Sequence, residues 1–197
     1  MTHKILFLVL LCLLISCESK APIEVKQITS KETVVILPNL KNPLVKDSVS
    51  ISVPIEFEIL LNSSKVRYIT WNYIVDGKSL YDDVFDYQVY NKQNKNKFIH
   101  QLNFDLLPKT NKINIILKEK NHLISKNKAS ELMRKYNINS SLDNLKFGDT
   151  IKLATYDKFR QENKNLIDDF NKINDSISFK VTRGEKYFLF VDKKINW

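Results

Sequence analysis

The residues best suited to chemistry form an acidic and aromatic cluster between positions 81 and 87. Its members are Tyr81, Asp82, Asp83, Phe85, Asp86 and Tyr87. Glycoside hydrolysis uses two carboxylates across a sugar-sized cleft, where aromatic rings can stack on the sugar. The period-2 alternation instead favours Phe85 and Tyr87 facing a core while the aspartates are solvated. We therefore interpret the segment as a candidate ligand-binding loop of Tyr81, Asp82, Asp83 and Asp86, and its use in catalysis is the weaker alternative.

Other catalytic and metal-binding patterns are absent from the sequence. Outside the first seventeen residues there are two histidines, and their spacing matches no zinc motif. His100 falls on the apolar face of a predicted strand and is expected to be a hydrogen-bonded core or boundary residue. His122 falls in a turn and is expected to be solvated. We predict no metal and no catalytic histidine.

Glycine is too scarce for nucleotide or serine-hydrolase chemistry. The chain has three glycines, and none flanks a suitable serine or belongs to a phosphate-binding loop. We therefore predict a protein that is not an enzyme and needs no cofactor. The acidic loop described above is the one enzymatic alternative.

The N-terminal segment carries the strongest functional signal. A short positive start is followed by an apolar run from Ile5 to Ile15, which is too short to span a bilayer. The run ends in Leu14-Ile15-Ser16-Cys17, which resembles the lipobox of bacterial lipoproteins. The resemblance implies removal of residues 1–16, acylation of Cys17, and a membrane-anchored place in the cell envelope, facing the periplasm or the cell surface.

Cysteine and charge composition limit the remaining possibilities. The chain has two cysteines; Cys12 would leave with the signal peptide and Cys17 would carry lipid, so no disulfide is expected. The net charge is +9, from 27 Lys and only 4 Arg against 22 acidic residues. Because phosphate recognition favours arginine, we predict no nucleic-acid partner. The lysine-rich segment 91–97 is interpreted as a solubilising hairpin loop.

The first half of the mature chain shows the pattern of antiparallel β-structure. Residues 17–31 are predicted to be the lipidated cysteine and a flexible tether, and residues 32–124 a β-sandwich domain. The clearest alternation runs from Val49 to Ile59, and Pro54 within it indicates a sheet edge or a bend. Another alternating strand is centred on Trp71. The arrangement resembles immunoglobulin-like and fibronectin type III-like modules, which implies that Trp71 is deeply buried between two sheets.

The pattern changes after residue 124. Residues 125–136 predict a short helix, and a second helix begins at Asp157 or Thr155 and ends near Ile173. Two alternating segments around Gly184 predict a hairpin. We therefore expect an α+β region over 125–197 that packs on the sandwich, with the terminal Trp197 more exposed than Trp71.

Taken together, the sequence predicts a lipid-anchored envelope protein that acts by binding an envelope protein or a glycan. One specific form is an inhibitor or immunity lipoprotein that blocks a toxin or hydrolase. The alternatives are a glycan hydrolase that uses the acidic loop and a structural assembly lipoprotein. The oligomeric state is not indicated by the sequence.

Overall fold

The computed structural model is mainly β and describes residues 21–39, 45, 47–81, 85–106, 111–143, 145–185 and 187–197. The predicted signal peptide, Cys17, Asp82 and Asp83 lie outside these ranges. The strands are β1 Ile23–Ile28, β2 Thr33–Pro38, β3 Ser48–Ser52, β4 Pro54–Leu61, β5 Val66–Val75, β6 Lys78–Leu80, β7 Tyr87–Asn91, β8 Asn94–Phe98, β9 Gln101–Asn103, β10 Lys112–Glu119, β11 Leu123–Ser125, β12 Ile151–Thr155, β13 Asp175–Arg183 and β14 Tyr187–Lys194. The helices are α1 Lys126–Lys135, α2 Tyr156–Glu162 and α3 Lys164–Asn171.

The strands form three antiparallel sheets. Sheet A has the order β1-β4-β10-β7-β8, and sheet B has the order β11-β3-β2-β12. Sheet C has the order β14-β13-β5-β6, with β9 also paired to β5. The predicted fold class, an antiparallel β-sandwich with helices and a C-terminal hairpin, is confirmed.

Sheets A and C pack face to face around an aromatic core. Phe57 of β4 meets Phe179 of β13 edge-on, with their ring centroids 5.7 Å apart. The ring centroids of Tyr73 in β5 and Tyr87 in β7 are 5.5 Å apart. Trp71 is 7% exposed, as the alternation of its strand predicts. This core between two sheets supplies apolar burial in a chain for which no disulfide is expected.

The longest alternating segment of the sequence divides between two sheets. β3 pairs with β2 and β11 in sheet B, whereas β4 pairs with β1 and β10 in sheet A. The chain bends at Val53 and Pro54, as the proline predicts, but Pro54 itself is buried. Other parts of the fold cover both sides of the chain at the bend. The face of β3 and β4 that the alternation predicts to contact water is therefore buried as well. Glu56 on that face is 1% exposed.

The predicted tether over residues 17–31 contains a strand. β1 pairs with β4 from Ile23 opposite Leu61 to Ile28 opposite Glu56. Ile23 and Val25 are buried, so the sheet holds the chain from residue 23 onward. The short alternation Ile23-Glu24-Val25-Lys26 was the sequence signal for this strand.

The C-terminal hairpin belongs to the sandwich itself. β13 pairs with β5 from Asp175 opposite Val75 to Arg183 opposite Val66, and β14 pairs with β13 at the sheet edge. The hairpin therefore completes sheet C instead of capping a finished sandwich. The prediction that Trp197 is more exposed than Trp71 is wrong, because Trp197 is 1% exposed.

The helices cover sheet B. α1 begins after Ser125, whose Oγ accepts a hydrogen bond from the Lys128 backbone N–H at 3.2 Å. The single helix predicted from about residue 157 to 173 is instead two, α2 and α3, with a break at Asn163. The Asn163 side chain donates to the Phe159 carbonyl and to the Tyr136 hydroxyl, each at 2.8 Å, which holds the break against α1.

Two predictions in the middle of the chain are also corrected. Residues 91–97 are part of the β7–β8 hairpin. Lys92 Nζ lies 2.5 Å from Oε1 of the buried Glu56, so this segment is not simply a solvated loop. His100, expected to be a core or boundary residue, is exposed between β8 and β9, where the centroid of its ring is 5.2 Å from that of Phe98.

Candidate functional site

A cleft of about 770 Å³ opens between sheets A and B. Its walls come from the end of β2, from β3, from β7 and the end of β10, and from residues 147–152 before and within β12. Such a volume lies within the range of small-ligand pockets, which are mostly apolar with a few polar groups. The cleft lies where β3 and β4, which share one alternating segment, divide between sheets B and A.

The walls of the cleft are mainly apolar and aromatic. Val35, Leu37 and Pro38 line the side formed by β2. The lining residues at its mouth include Phe85, Leu123 and Phe147, which are 40%, 49% and 71% exposed. Large apolar side chains that are exposed around a cavity mark a surface that can exclude water when a partner covers it.

Three lysines give the cleft a positive charge. Lys118, Lys120 and Lys152 line it, against a single described carboxylate, that of Asp149. One oxygen of Asp149 already accepts the Lys146 backbone N–H at 2.8 Å. The cleft therefore offers apolar contact together with lysine side chains.

Lys118 is partly buried in the wall of the cleft. Its Nζ lies 4.6 Å from the centroid of the Tyr90 ring, in cation–π geometry. Burial lowers the pKa of Lys118, and the charge of Glu32 offsets part of that effect. An anion bound next to Lys118 would stabilise its charged form, so the cleft is electrostatically suited to a carboxylate or another anionic group.

The structure separates the residues of the predicted ligand loop. Tyr81 is 79% exposed, whereas Asp86 is 7% exposed. The backbone carbonyl of Asp86 accepts hydrogen bonds from the Lys120 N–H at 2.9 Å and from Asn121 Nδ2 at 3.0 Å. The expectation that Phe85 and Tyr87 face the core while the aspartates are solvated is wrong for Phe85 and Asp86, whereas Tyr87 packs against Tyr73 in the core. Phe85 lies in the cleft wall, and Asp86 supports the backbone behind it.

Tyr81 lines a second, shallower pocket of about 360 Å³. Trp71, Tyr87, Phe98 and His100 contribute to the same pocket. Exposed aromatic faces of this kind suit stacking on a sugar ring. The aromatic half of the predicted loop thus has a binding geometry, but at a different place from the cleft.

A buried ionic cluster, Glu119, His122 and Asp175, lies behind the cleft. His122 Nδ1 is 2.8 Å from Glu119 Oε2, and His122 Nε2 is 3.4 Å from Asp175 Oδ2. Asp175 Oδ2 also accepts a hydrogen bond from Trp197 Nε1 at 3.1 Å. The prediction of a solvated His122 is wrong, because the C-terminal residues and Phe170 cover its turn. The Phe170 ring stacks on the imidazole, with the two ring centroids 4.3 Å apart.

The cluster holds His122 in its charged form. Burial lowers the pKa of His122, but the charge of Glu119 and the hydrogen bond to Asp175 outweigh that effect and raise the pKa to about 9. Burial, together with the charges of Glu119 and Asp175, also raises the pKa of Tyr73 well above its usual value. All three members are at most 6% exposed, and the cluster joins β10, β13 and the C-terminus.

Sequence reasoning missed the residues of the cleft because they come from distant parts of the chain. Lys118 occupies a polar position in an alternating strand, and Phe147 is an isolated aromatic beside Gly148. Neither forms a local motif. Within the described ranges, no group of three or more His, Cys, Asp or Glu residues is arranged to hold a metal ion. No described helix is long and apolar enough to cross a bilayer.

The sequence matches no known protein-family model, and it matches no curated protein.

Proposed function

We propose that this is a lipid-anchored protein of the bacterial cell envelope that binds another envelope protein through the cleft between sheets A and B. The observation that carries the proposal is the composition of the cleft, with apolar walls, exposed aromatic and aliphatic residues at its mouth, and three lysines. This composition fits a protein segment that carries both apolar and acidic side chains. Blocking the partner, as an inhibitor or immunity lipoprotein would, is the specific form we favour.

Photocrosslinking in intact cells tests whether the cleft is occupied. A photoreactive amino acid placed at Phe147 or Leu123 should give one discrete protein adduct. The same amino acid at the exposed Glu131 on α1 is the matched control and should not give that adduct. No adduct at the cleft, or the same adduct at all three positions, would contradict the proposal.

A charge reversal then tests the chemistry of binding. The captured protein, once purified, should bind the Lys118→Glu variant at least 10-fold more weakly, since a charge-assisted hydrogen bond contributes about 1.5–3 kcal/mol. Lys128→Glu on α1, outside the cleft, is the control and should bind like the wild type. Equal affinity for all three proteins would show that the cleft is not the binding site.

A glycan partner is the second candidate, and the aromatic pocket around Tyr81 favours it. A Tyr81→Ala variant should then lose affinity for envelope oligosaccharides in calorimetric titration, while Phe147→Ala retains it. The hydrolase alternative has less support, because Asp86 is buried and its backbone carbonyl supports the cleft wall.

A further inference from the structure

An exposed aromatic surface lies on the C-terminal hairpin, whose residues do not line the cleft. Tyr187, Phe188 and Phe190 of β14 are 78%, 58% and 56% exposed. β14 is the edge strand of sheet C, and the Phe188 and Phe190 rings meet edge-on at 5.7 Å. On an ordinary protein surface, exposed apolar residues are scattered singly, whereas here three large aromatic side chains are exposed together on one edge strand.

The hairpin lies at the end of the molecule where the described chain begins. Asn62, just after β4, donates its backbone N–H to the Pro22 carbonyl at 2.9 Å and its side chain to the Ala21 carbonyl at 3.1 Å. In the same short loop, the Lys65 carbonyl accepts a hydrogen bond from the Gly184 backbone N–H at 3.3 Å. The loop over 62–65 therefore joins the start of the described chain to the hairpin turn. We call this end of the molecule the proximal end.

The chain length between Cys17 and the proximal end is short. Cys17 precedes Ala21 by four residues, and four residues span at most about 14 Å even when fully extended. An acyl chain on Cys17 would therefore hold the proximal end within about 14 Å of the lipid headgroups. The hairpin turn belongs to this end, so it would also lie close to the lipid headgroups.

The proximal end carries the side chains that a bilayer interface favours. Another large apolar residue, Leu106, is 81% exposed, and it follows Asp105, which pairs with Arg67 at 3.1 Å. Lys180 Nζ lies 4.7 Å from the Phe188 ring centroid, so the cation and the aromatic ring are presented together. Lys65 and Arg183 add positive charge, and the acidic residues at this end include Glu185 at the turn and Glu24 next to Ile23.

We propose that the proximal end rests on the membrane, with Tyr187 and Phe188 in the headgroup region of an anionic bilayer and the nearby cations facing its phosphates. Aromatic rings with adjacent lysine and arginine are the usual residues of the membrane interface. The inference rests on the acylation of Cys17 that is part of the proposed function. It adds an orientation, because β10 runs from Lys112 at the proximal end to Lys118 in the cleft, about 20 Å away. The cleft then lies at the end of the sandwich that is farther from the membrane.

Tryptophan quenching tests this orientation on the full chain. The acylated protein is reconstituted into vesicles of phosphatidylcholine and phosphatidylglycerol that contain brominated acyl chains, which quench tryptophan at short range. Phe188→Trp places a probe at the proximal end, and Phe147→Trp places a comparably exposed probe at the cleft. Trp71 and Trp197 are buried and contribute the same background to both variants.

We expect the emission of Phe188→Trp to shift to the blue and to lose at least half of its added intensity in brominated vesicles. Phe147→Trp should keep its added intensity. Equal behaviour of the two variants would overturn the inference. A blue shift of Phe188→Trp without quenching would mean that protein, such as a second copy, covers the hairpin, and would overturn it too.

The mass of the purified protein separates this inference from the anchor on which it rests. A protein without acyl chains that fails to sediment with vesicles refutes both the anchor and the orientation. An acylated protein that sediments but shows no quenching of Phe188→Trp refutes the orientation alone. Phe188→Ser should leave the thermal melt unchanged, because the side chain is exposed.

Discussion

At the scale of single residues, His122 and Trp197 show how much of this fold depends on contacts that no local pattern reveals. His122 lies between two carboxylates, and one of these also binds the indole of the last residue in the chain. Removing one partner of a buried ionic group leaves the others buried and unpaired, which commonly costs about 3–5 kcal/mol. The cluster therefore makes both stability and its pH dependence testable.

The first prediction concerns pH. Since the pKa of His122 is raised from 6.5 to about 9, its contribution to stability is complete below pH 6.5 and is lost as the pH rises through 9. The free energy of unfolding should fall by about 3 kcal/mol over this range. Urea unfolding at a series of pH values measures the effect.

His122→Gln provides the decisive comparison. It should be less stable than the wild type at pH 6 and should show a flat profile between pH 6.5 and 9. His100→Gln, at the exposed histidine, should follow the wild-type profile. If His122→Gln retained the wild-type slope, another group would be responsible for it.

The second prediction concerns the two tryptophans. Both are buried, so Trp71→Ala and Trp197→Ala should each lower the free energy of unfolding by about 3–5 kcal/mol. In Trp71→Phe the remaining emission comes from Trp197 and should be blue-shifted and protected from iodide. Red-shifted emission that iodide quenches freely would show that the C-terminus is not docked.

At the scale of elements, the molecule depends on two connections between distant strands. β3 and β4 carry one alternating segment across the Pro54 bend from sheet B into sheet A, and β13 joins the C-terminal hairpin to β5. The contact of Phe179 with Phe57 locks sheets C and A together. Residues 32–124 and 125–197, distinguished in the sequence, therefore share one core.

The third prediction follows from this shared core. Calorimetry should show a single unfolding transition, and Phe179→Ala should lower the stability of the whole protein by about 3–5 kcal/mol. Phe188→Ala, at the exposed face of the neighbouring strand, is the matched control and should leave the melting temperature unchanged. Two transitions, only one of which responds to Phe179→Ala, would mean that the C-terminal region folds separately.

At the scale of the whole molecule, the start of the described chain and the cleft lie at opposite ends of the sandwich. β1 holds the chain in sheet A from Ile23, so the segment between Cys17 and the fold is short. With Cys17 acylated as proposed, so short a connection would keep the protein close to the membrane and restrict how it can turn. The cleft would then be available to a partner in the envelope and not to the bilayer itself.

The fourth prediction tests the anchor. Cys17→Ser should abolish metabolic labelling with fatty acid and release the protein from the membrane fraction. Two or three acyl chains are needed for durable membrane binding, and the exposed aromatic residues alone should not replace them. A wild-type protein that takes up no label would refute the lipoprotein assignment. Cys12→Ser, within the predicted signal peptide, is the control and should leave labelling intact.

The sequence by itself determined the features that depend on neighbouring residues. The alternation around Trp71 predicted its burial and a β-sandwich, and the apolar spacing over residues 125–136 predicted α1. These predictions succeeded because strand and helix periodicity each involve only a few consecutive residues.

Only the tertiary structure decided the burial of polar residues and the location of the candidate site. Glu56, His122 and Asp175 are ordinary polar residues in sequence, and they became buried because distant strands and the C-terminus supply their partners. The cleft likewise combines Lys118 with Phe147 and Val35, which lie far apart in the chain. A pattern within one segment can predict which of its faces is apolar, but the other segments of the fold determine what covers each face and where they leave a space.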